Sequence, residues 1–325
     1  VRYAAGAERC NPAAMTVTLL AALVPIALLI GLGAALRRLG FLAEGFWPQA
    51  ERLAYYVLLP SLLLDSLATA RLADVPVGAL ALVLVFSTLA VAGLTLAARP
   101  RLGFGGPAFT SVFQGGIRFN NYVGVSAAAG LYGAQGIALA AVANAAIVPT
   151  VNVLCVLVFA RFGTAGRPSA LGLARQIALN PLVLGSLGGI ALQASGLGLP
   201  PGLEPMLRAL GQASLPLGLL CVGAALDFGS ARSWIRPVAV ASLIKFGLMP
   251  TATVLACLAL GLKGPAAVTA LLFQTLPTAS SSYIMSRQLG GDAPLMAGIT
   301  ATQTVIAGVA LPLVLAIVLA LAGIG

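Results

Sequence analysis

Apolar runs of about 20 residues follow one another along nearly the whole chain, separated by short polar breaks in which Arg, Gly and Pro recur. Such runs match what a hydrocarbon core roughly 30 Å thick requires of a helix. They predict spans near 16–36, 50–68, 77–98, 107–130 and 136–160, then near 176–196, 205–227, 234–260, 264–287 and 294–322. The one long polar break, from Arg161 to Arg175, divides the chain almost in half. The predicted organisation is therefore an extension at 1–15, a first five-helix unit at 16–160, a linker at 161–175 and a second unit at 176–325.

Composition agrees with this pattern. Of the 325 residues 60% are hydrophobic and only 8% are charged, and the mean hydropathy is +1.03. A water-facing surface is hard to build from that balance, so the expectation is an all-α membrane protein with the lipid bilayer as its main partner. The net charge of +10 has no basic, aromatic-rich stretch behind it and predicts no nucleic-acid partner. Histidine is absent, and Cys10, Cys155, Cys221 and Cys257 are scattered, so no metal site and no cofactor is expected. Arg outnumbers Lys 16 to 2 beside much Ala and Gly, which hints at a bacterial gene and hence an inner-membrane location. The polar opening segment before Met15 suggests that the true start is Met15.

The halves repeat each other at a slowly growing offset. Pro25, Leu28, Gly33 and Leu36 match Pro181, Leu184, Gly189 and Leu192, and Leu59-Pro60 matches Leu215-Pro216, all shifted by 156 residues. Phe113-Gln114 matches Phe273-Gln274, Asn120-Asn121-Tyr122 resembles Ser281-Ser282-Tyr283, and Pro149 matches Pro312. Five spans per half is an odd number, so the second half must thread the membrane in the opposite sense. The prediction is a five-plus-five inverted repeat of ten helices, an architecture typical of secondary transporters. Basic residues orient it. The odd-numbered loops carry ten (Arg37, Arg38, Arg99, Arg101, Arg161, Arg167, Arg175, Arg232, Arg236 and Arg287), and the even-numbered loops carry three (Arg71, Arg208 and Lys263). The positive-inside rule then puts the odd loops in the cytoplasm and both termini outside.

Candidate chemistry concentrates in the fourth and ninth spans. The fourth reads FQGGIRFNNYVG and the ninth FQTLPTASSSYI. Paired Gly and an internal Pro both predict interrupted helices, with Asn120, Asn121, Thr278, Ser280, Ser281 and Ser282 at hand to satisfy the freed backbone groups. Kinked helices packed through small polar residues would give the same pattern. Two cations, Arg118 and Lys245, lie deep in apolar sequence, where a charge is expensive and usually functional. Either could attract an anion, helped by positive helix N-termini at the breaks. Either could instead form a structural ion pair with Asp65, the one acid well inside an apolar run, which could also carry a proton. Asp227 reads as interfacial. Pro25, Pro60, Pro181, Pro216 and Pro312 read as kinks and packing points.

At these residues the chain resembles the auxin efflux carrier family, which includes bacterial organic-acid permeases and plant PIN-FORMED exporters. The motifs are ERLAYYVLLPSLL in the second span, RFNNYVG in the fourth and SLPLGLLCVGAAL in the seventh. Lys245 ahead of Met249-Pro250, and TLPTASSSYIMSRQLGGD, continue the match. The resemblance covers the chain from Met15 onward. It implies ten helices with the fourth and ninth broken and crossing at mid-membrane, as in bile-acid symporters and sodium–proton antiporters. It also implies a scaffold of helices 1, 2, 6 and 7 and a transport unit from the rest. Asn120 or Asn121 would take the place of the crossover Asn that contacts the substrate carboxylate, and Pro277 that of the ninth-helix crossover Pro. This chain lacks the plant members' Pro before the fourth-helix Asn, so Gly115-Gly116 is expected to make that break. The long cytoplasmic loop of many plant exporters is absent, and with it their phosphorylation control.

The combined expectation is a carrier, not an enzyme, that moves small organic anions by alternating access. Its substrate site would include Arg118, Asn120, Asn121, Lys245, Pro277, Thr278 and Ser281, with Asp65 as a proton or ion-pair site. A homodimer is one assembly this reading allows. A sodium-coupled symporter of the bile-acid type is the nearest rival, disfavoured because the crossover offers no carboxylate to a hard cation. An intramembrane enzyme would need a nucleophile and base that the chain scarcely provides. A channel fits a rocking repeat less well.

Overall fold

In lipid, a helix is the simplest way for an apolar run to pair its own N–H and C=O groups. The computed structural model describes residues 12–69, 76–164, 181–226, 234–279 and 281–322, with residues 171, 172, 175, 178 and 179 between them. The regular structure among these residues is helical. In order come α1 (Pro12–Arg38), α2 (Phe46–Leu53), a π-turn (Ala54–Leu58), α3 (Leu59–Thr69), α4 (Val77–Leu102), α5 (Gly106–Ile117) and α6 (Asn121–Phe162). The second half has α7 (Pro181–Ser195), α8 (Leu203–Ala224), α9 (Ile235–Leu243), a π-turn (Ile244–Leu248), α10 (Met249–Leu260), α11 (Gly264–Thr275), α12 (Ser281–Gln288) and α13 (Ala293–Ala322).

Each predicted span falls largely on helix. Five helical stretches among the described residues are long and apolar enough to cross a membrane: Val77–Leu102, Gly106–Phe162, Leu203–Ala224, Ile235–Leu260 and Ala293–Val314. The chain is thus a multi-pass membrane protein. The stretch Gly106–Phe162 is not straight. Its helix is interrupted after Ile117, and Gly133 (φ 59, ψ −134) divides α6 into arms 121–132 and 134–162. The arms fold back on each other. A Cβ on Gly136 would lie 1.8 Å from the Ala128 carbonyl oxygen, although residues eight apart in a straight helix are separated by about 12 Å.

Packing sorts the helices into two groups. In one, α1 packs on α8 while α3 packs on α7 and α8; in the other, α4, α5, α6, α9, α10, α11 and α13 pack among themselves. Small residues let the first group close tightly. A Cβ on Gly33 of α1 would meet the Leu220 backbone of α8, and one on Gly189 of α7 would meet the Leu64 backbone of α3. These two contacts correspond across the halves: Gly33 and Gly189, like Leu64 and Leu220, lie 156 residues apart. The offset read from the sequence thus recurs in three-dimensional contacts.

Both π-turns stand just ahead of a proline. Leu59 N–H bonds to the Ala54 carbonyl before Pro60, and Met249 N–H to the Ile244 carbonyl before Pro250. The wider turn inserts one residue and accommodates a proline that lacks a donor. The first π-turn carries Tyr55 and Tyr56, and the second carries Lys245.

Candidate functional site

The segments predicted as the fourth and ninth spans are both interrupted near their middles. The helices leading to the two breaks, α5 and α11, begin alike at Gly106-Pro107 and Gly264-Pro265, are each 12 residues long and are buried near their ends. The backbone is extended at Arg118 (φ −75, ψ 160) and at Asn120 (φ −90, ψ 107). The second interruption runs through Leu276 (φ −64, ψ 146) to the start of α12 at Ser281. Ser280 lies outside the described residues.

Gly115-Gly116 does not make the first break. Both glycines remain helical in the last turns of α5 and serve close packing instead. A Cβ on Gly115 would lie 2.7 Å from Ile299 of α13, and one on Gly116 would lie 2.7 Å from Ile244 of the second π-turn. The break follows at Arg118–Asn120 because Asn120 starts a new helix there. Its Oδ1 accepts from Tyr122 N (3.1 Å) and Val123 N (3.3 Å), an N-cap that satisfies donors left free at a helix start.

The two interruptions cross. Asn120 N–H donates to the Pro277 carbonyl at 2.8 Å, and both residues are buried. Thr278 N–H donates to Gln303 Oε1 at 3.0 Å, while the Thr278 and Ser282 hydroxyls lie 3.2 Å apart. Gln114 Nε2, one turn before the first break, donates to the Ser282 carbonyl at 2.8 Å. Gln274, its counterpart in the repeated Phe-Gln pair, donates to the Leu84 carbonyl and to the Ser87 and Thr88 hydroxyls of α4. The repeated glutamines are thus buried tethers for the two broken helices.

Beside the crossover lies a cavity of about 810 Å³, within the size range of small-molecule sites. Arg118, Asn120, Asn121 and Tyr122 line it at the break. Asn152 of α6, Ala279 of the second break, Met285 of α12 and Pro181 of α7 add to its walls. Glu51, Arg52, Tyr55 and Tyr56 line it from α2 and the first π-turn, and Arg175 and Gln288 line it as well. Three guanidinium groups against one carboxylate make this lining electropositive. Arg118 Nη1 lies 3.4 Å from Asn152 Oδ1 and 3.0 Å from Met285 Sδ. Asn121 Oδ1 is buried without a hydrogen-bond partner.

Of the residues expected at the site, Arg118, Asn120 and Asn121 therefore meet in one cavity. Pro277 and Thr278 are buried in the crossover behind it, and Ser281 opens α12. Lys245 is fully buried, its Nζ has no hydrogen-bond partner, and it is not among the cavity's lining residues. Asp65 is also absent from the lining, its Oδ1 has no partner, and the charges that act on it are Arg208 and Glu204. Sequence reasoning did not single out Asn152, Arg175, Glu51, Tyr55 or Gln303. They lie on four other segments of the chain, and only the folded arrangement brings them to the crossover.

Comparison with known proteins agrees with the motifs. Residues 167–315 match a family described as "Membrane transport protein". A stretch of 181 residues, 50% of this chain, is 29% identical to a protein of Rhizobium meliloti (strain 1021) named "Putative malonate transporter". The match spans 57% of that protein's length. Over these residues the chain is similar to a membrane transport family and to a bacterial transporter, in keeping with the resemblance its motifs show to the auxin efflux carrier family.

Proposed function

We propose that the chain is a secondary carrier of small organic anions, mono- or dicarboxylates, that works by alternating access across a bacterial inner membrane. The observation that carries this reading is the cavity of about 810 Å³ that joins a broken-helix crossover to three arginines. A carboxylate there would meet the Arg118 guanidinium, the Asn121 amide and the positive N-terminus of α6. The rest of the lining, with Tyr55, Tyr56 and Met285, suits a short carbon chain. The Rhizobium relative's name makes malonate a natural first probe.

In this proposal ten helices form a five-plus-five inverted repeat. The α1–α3, α7 and α8 group is the scaffold, and the crossover group moves against it. The cavity reaches Arg175 and Gln288, next to loops rich in arginine, so the positive-inside rule assigns its mouth to the cytoplasm. Both termini then lie outside.

Purified protein should bind malonate saturably and bind malonamide, its neutral analogue, far more weakly. Proteoliposomes should accumulate labelled malonate on their own or in exchange for internal carboxylate. A single cysteine at Thr164 should label only from the cytoplasmic side. Absence of saturable carboxylate binding would overturn the substrate class, and labelling from outside would reverse the orientation.

A further inference from the structure

Breaking two helices inside a membrane leaves carbonyls at the end of each first half and N–H groups ahead of each second half. Each needs a partner, because no water is present in lipid to supply one. At this crossover one side chain serves both breaks. Gln303 of α13 is fully buried. Its Nε2 donates to the Gly115 carbonyl at 3.1 Å, and its Oε1 accepts from Thr278 N–H at 3.0 Å. In an unbroken helix the Gly115 carbonyl would accept from the amide of residue 119, and the extended backbone at Arg118 removes that option. Thr278 N–H is likewise without a helical acceptor in the second break.

A carboxamide suits this task because it presents a donor and an acceptor in one plane. Only one orientation of the amide serves a carbonyl on one side and an N–H on the other. The helix that carries it is brought close by Gly115, whose missing Cβ leaves room for Ile299. Ile299 and Gln303 are four residues apart and share one face of α13. The glycine that admits Ile299 is the residue whose carbonyl Gln303 then meets.

We infer that Gln303 is a positioning residue for the substrate site: it clamps the two broken helices together and thereby fixes Asn120 and Arg118 at the cavity. Gln303 is not itself among the residues that line the cavity. It acts on the segments either side of the Asn120–Pro277 bond. One of them, 115–120, delivers Arg118 and Asn120, and the other, 277–279, delivers Ala279. The inference rests on the proposed carboxylate site for its functional consequence, but the clamp itself is a property of the fold.

Three variants of the full-length purified protein test it. Gln303→Met keeps the volume and loses both hydrogen bonds. Gln303→Glu, when ionised, keeps an acceptor for Thr278 N–H but opposes the Gly115 carbonyl; when protonated it regains the donor. Gln303→Asn keeps the amide one methylene short of its partners. Hydrogen exchange of peptides spanning 276–281 should rise in the Met variant and stay near the parent level in the protonated Glu variant. Malonate affinity should fall about 10- to 100-fold in Gln303→Met, as expected for two lost hydrogen bonds of a positioning network. In Gln303→Glu the affinity relative to the parent at the same pH should recover as pH falls from 8 to 5.5. The Asn variant should lie between Met and parent. Unchanged hydrogen exchange in Gln303→Met, or a Gln303→Glu affinity as low as that of Gln303→Met at every pH, would overturn the clamp. Altered exchange in Gln303→Met with no malonate binding by the parent protein would uphold the clamp and defeat the carboxylate reading instead.

Discussion

Asn120 and Pro277, 157 positions apart in the chain, are joined backbone to backbone by a 2.8 Å hydrogen bond where the two broken helices cross. The Asn120 side chain meanwhile caps α6 through its Oδ1, so only its Nδ2 is left to face a ligand. These two jobs can be separated by substitution. Asn120→Ala loses cap and donor together and should lower stability by about 1 kcal/mol as well as weaken binding. Asn120→Asp keeps an acceptor at the helix start, where a negative charge is favoured. It loses the donor and places a charge beside an anionic ligand. Asn120→Asp should therefore stay within about 0.5 kcal/mol of the parent in thermal stability while losing on the order of 10-fold or more in carboxylate affinity. Equal affinity in the Asp variant would remove Asn120 from the ligand's surroundings.

Arg118 tests charge recognition. Charge-assisted hydrogen bonds contribute about 1.5–3 kcal/mol, so Arg118→Gln should weaken carboxylates on the order of 10- to 150-fold while a neutral analogue changes little. An ion pair with Asp65 was the competing reading of the sequence. Asp65 instead has an unpartnered Oδ1 in the field of Arg208 and Glu204. Adding Asp65→Asn to Arg118→Gln should therefore rescue neither stability nor binding. A double variant that restored both, measured by melting and by equilibrium binding, would reinstate the pair.

The sequence made the helical segments legible because apolar runs of membrane-spanning length leave few alternatives to helix. The interruptions were legible as well, since Pro277 and the Asn pair disturb otherwise regular runs. Their local mechanism was not. Gly115-Gly116 looked like a helix breaker, yet glycine also admits close neighbours, and here the approach of Ile299 and Ile244 decided between the two roles. Asn120 does carry a local signal for the break, because Asn before a helical run is a favoured cap. Lys245 and Arg118 look alike in hydropathy, each a cation in the middle of an apolar span. Which one meets a cavity depends on helix rotation, and rotation is set by packing partners distant in sequence. Gln303 carries no local signal for the same reason: its partners, Gly115 and Thr278, belong to two other segments.

Tyr122 offers a test of the contact between the two helix groups. A Cβ added to Gly218 of α8 would lie 2.2 Å from the Tyr122 ring, so this glycine is what lets the ring at the start of α6 seat against α8. Gly218→Ala should be destabilising by about 1–3 kcal/mol through overpacking. Combining it with Tyr122→Ala should give less destabilisation than the two single changes summed, because the clash is removed with the ring. Additive melting shifts would show that Tyr122 and Gly218 do not bear on each other.

Lys245 is the remaining intramembrane cation, and its surroundings make a prediction opposite to that for Arg118. Its Nζ is fully buried without a hydrogen-bond partner, in a π-turn whose first residue, Ile244, packs on Gly116. A buried polar group left unpaired costs about 1–3 kcal/mol, and an apolar side chain of similar length removes that cost. Lys245→Met should consequently raise the melting temperature. Because Lys245 does not line the cavity, malonate affinity in that variant should stay within about threefold of the parent. If Lys245 were instead held by a carboxylate, the Met variant would strand that acid and lower stability. Loss of binding with stability intact would mean that a ligand-bound arrangement of the helices brings Nζ to the substrate. Melting and equilibrium binding on the same preparation separate the three cases, and the expected pair of results is higher stability with unchanged affinity.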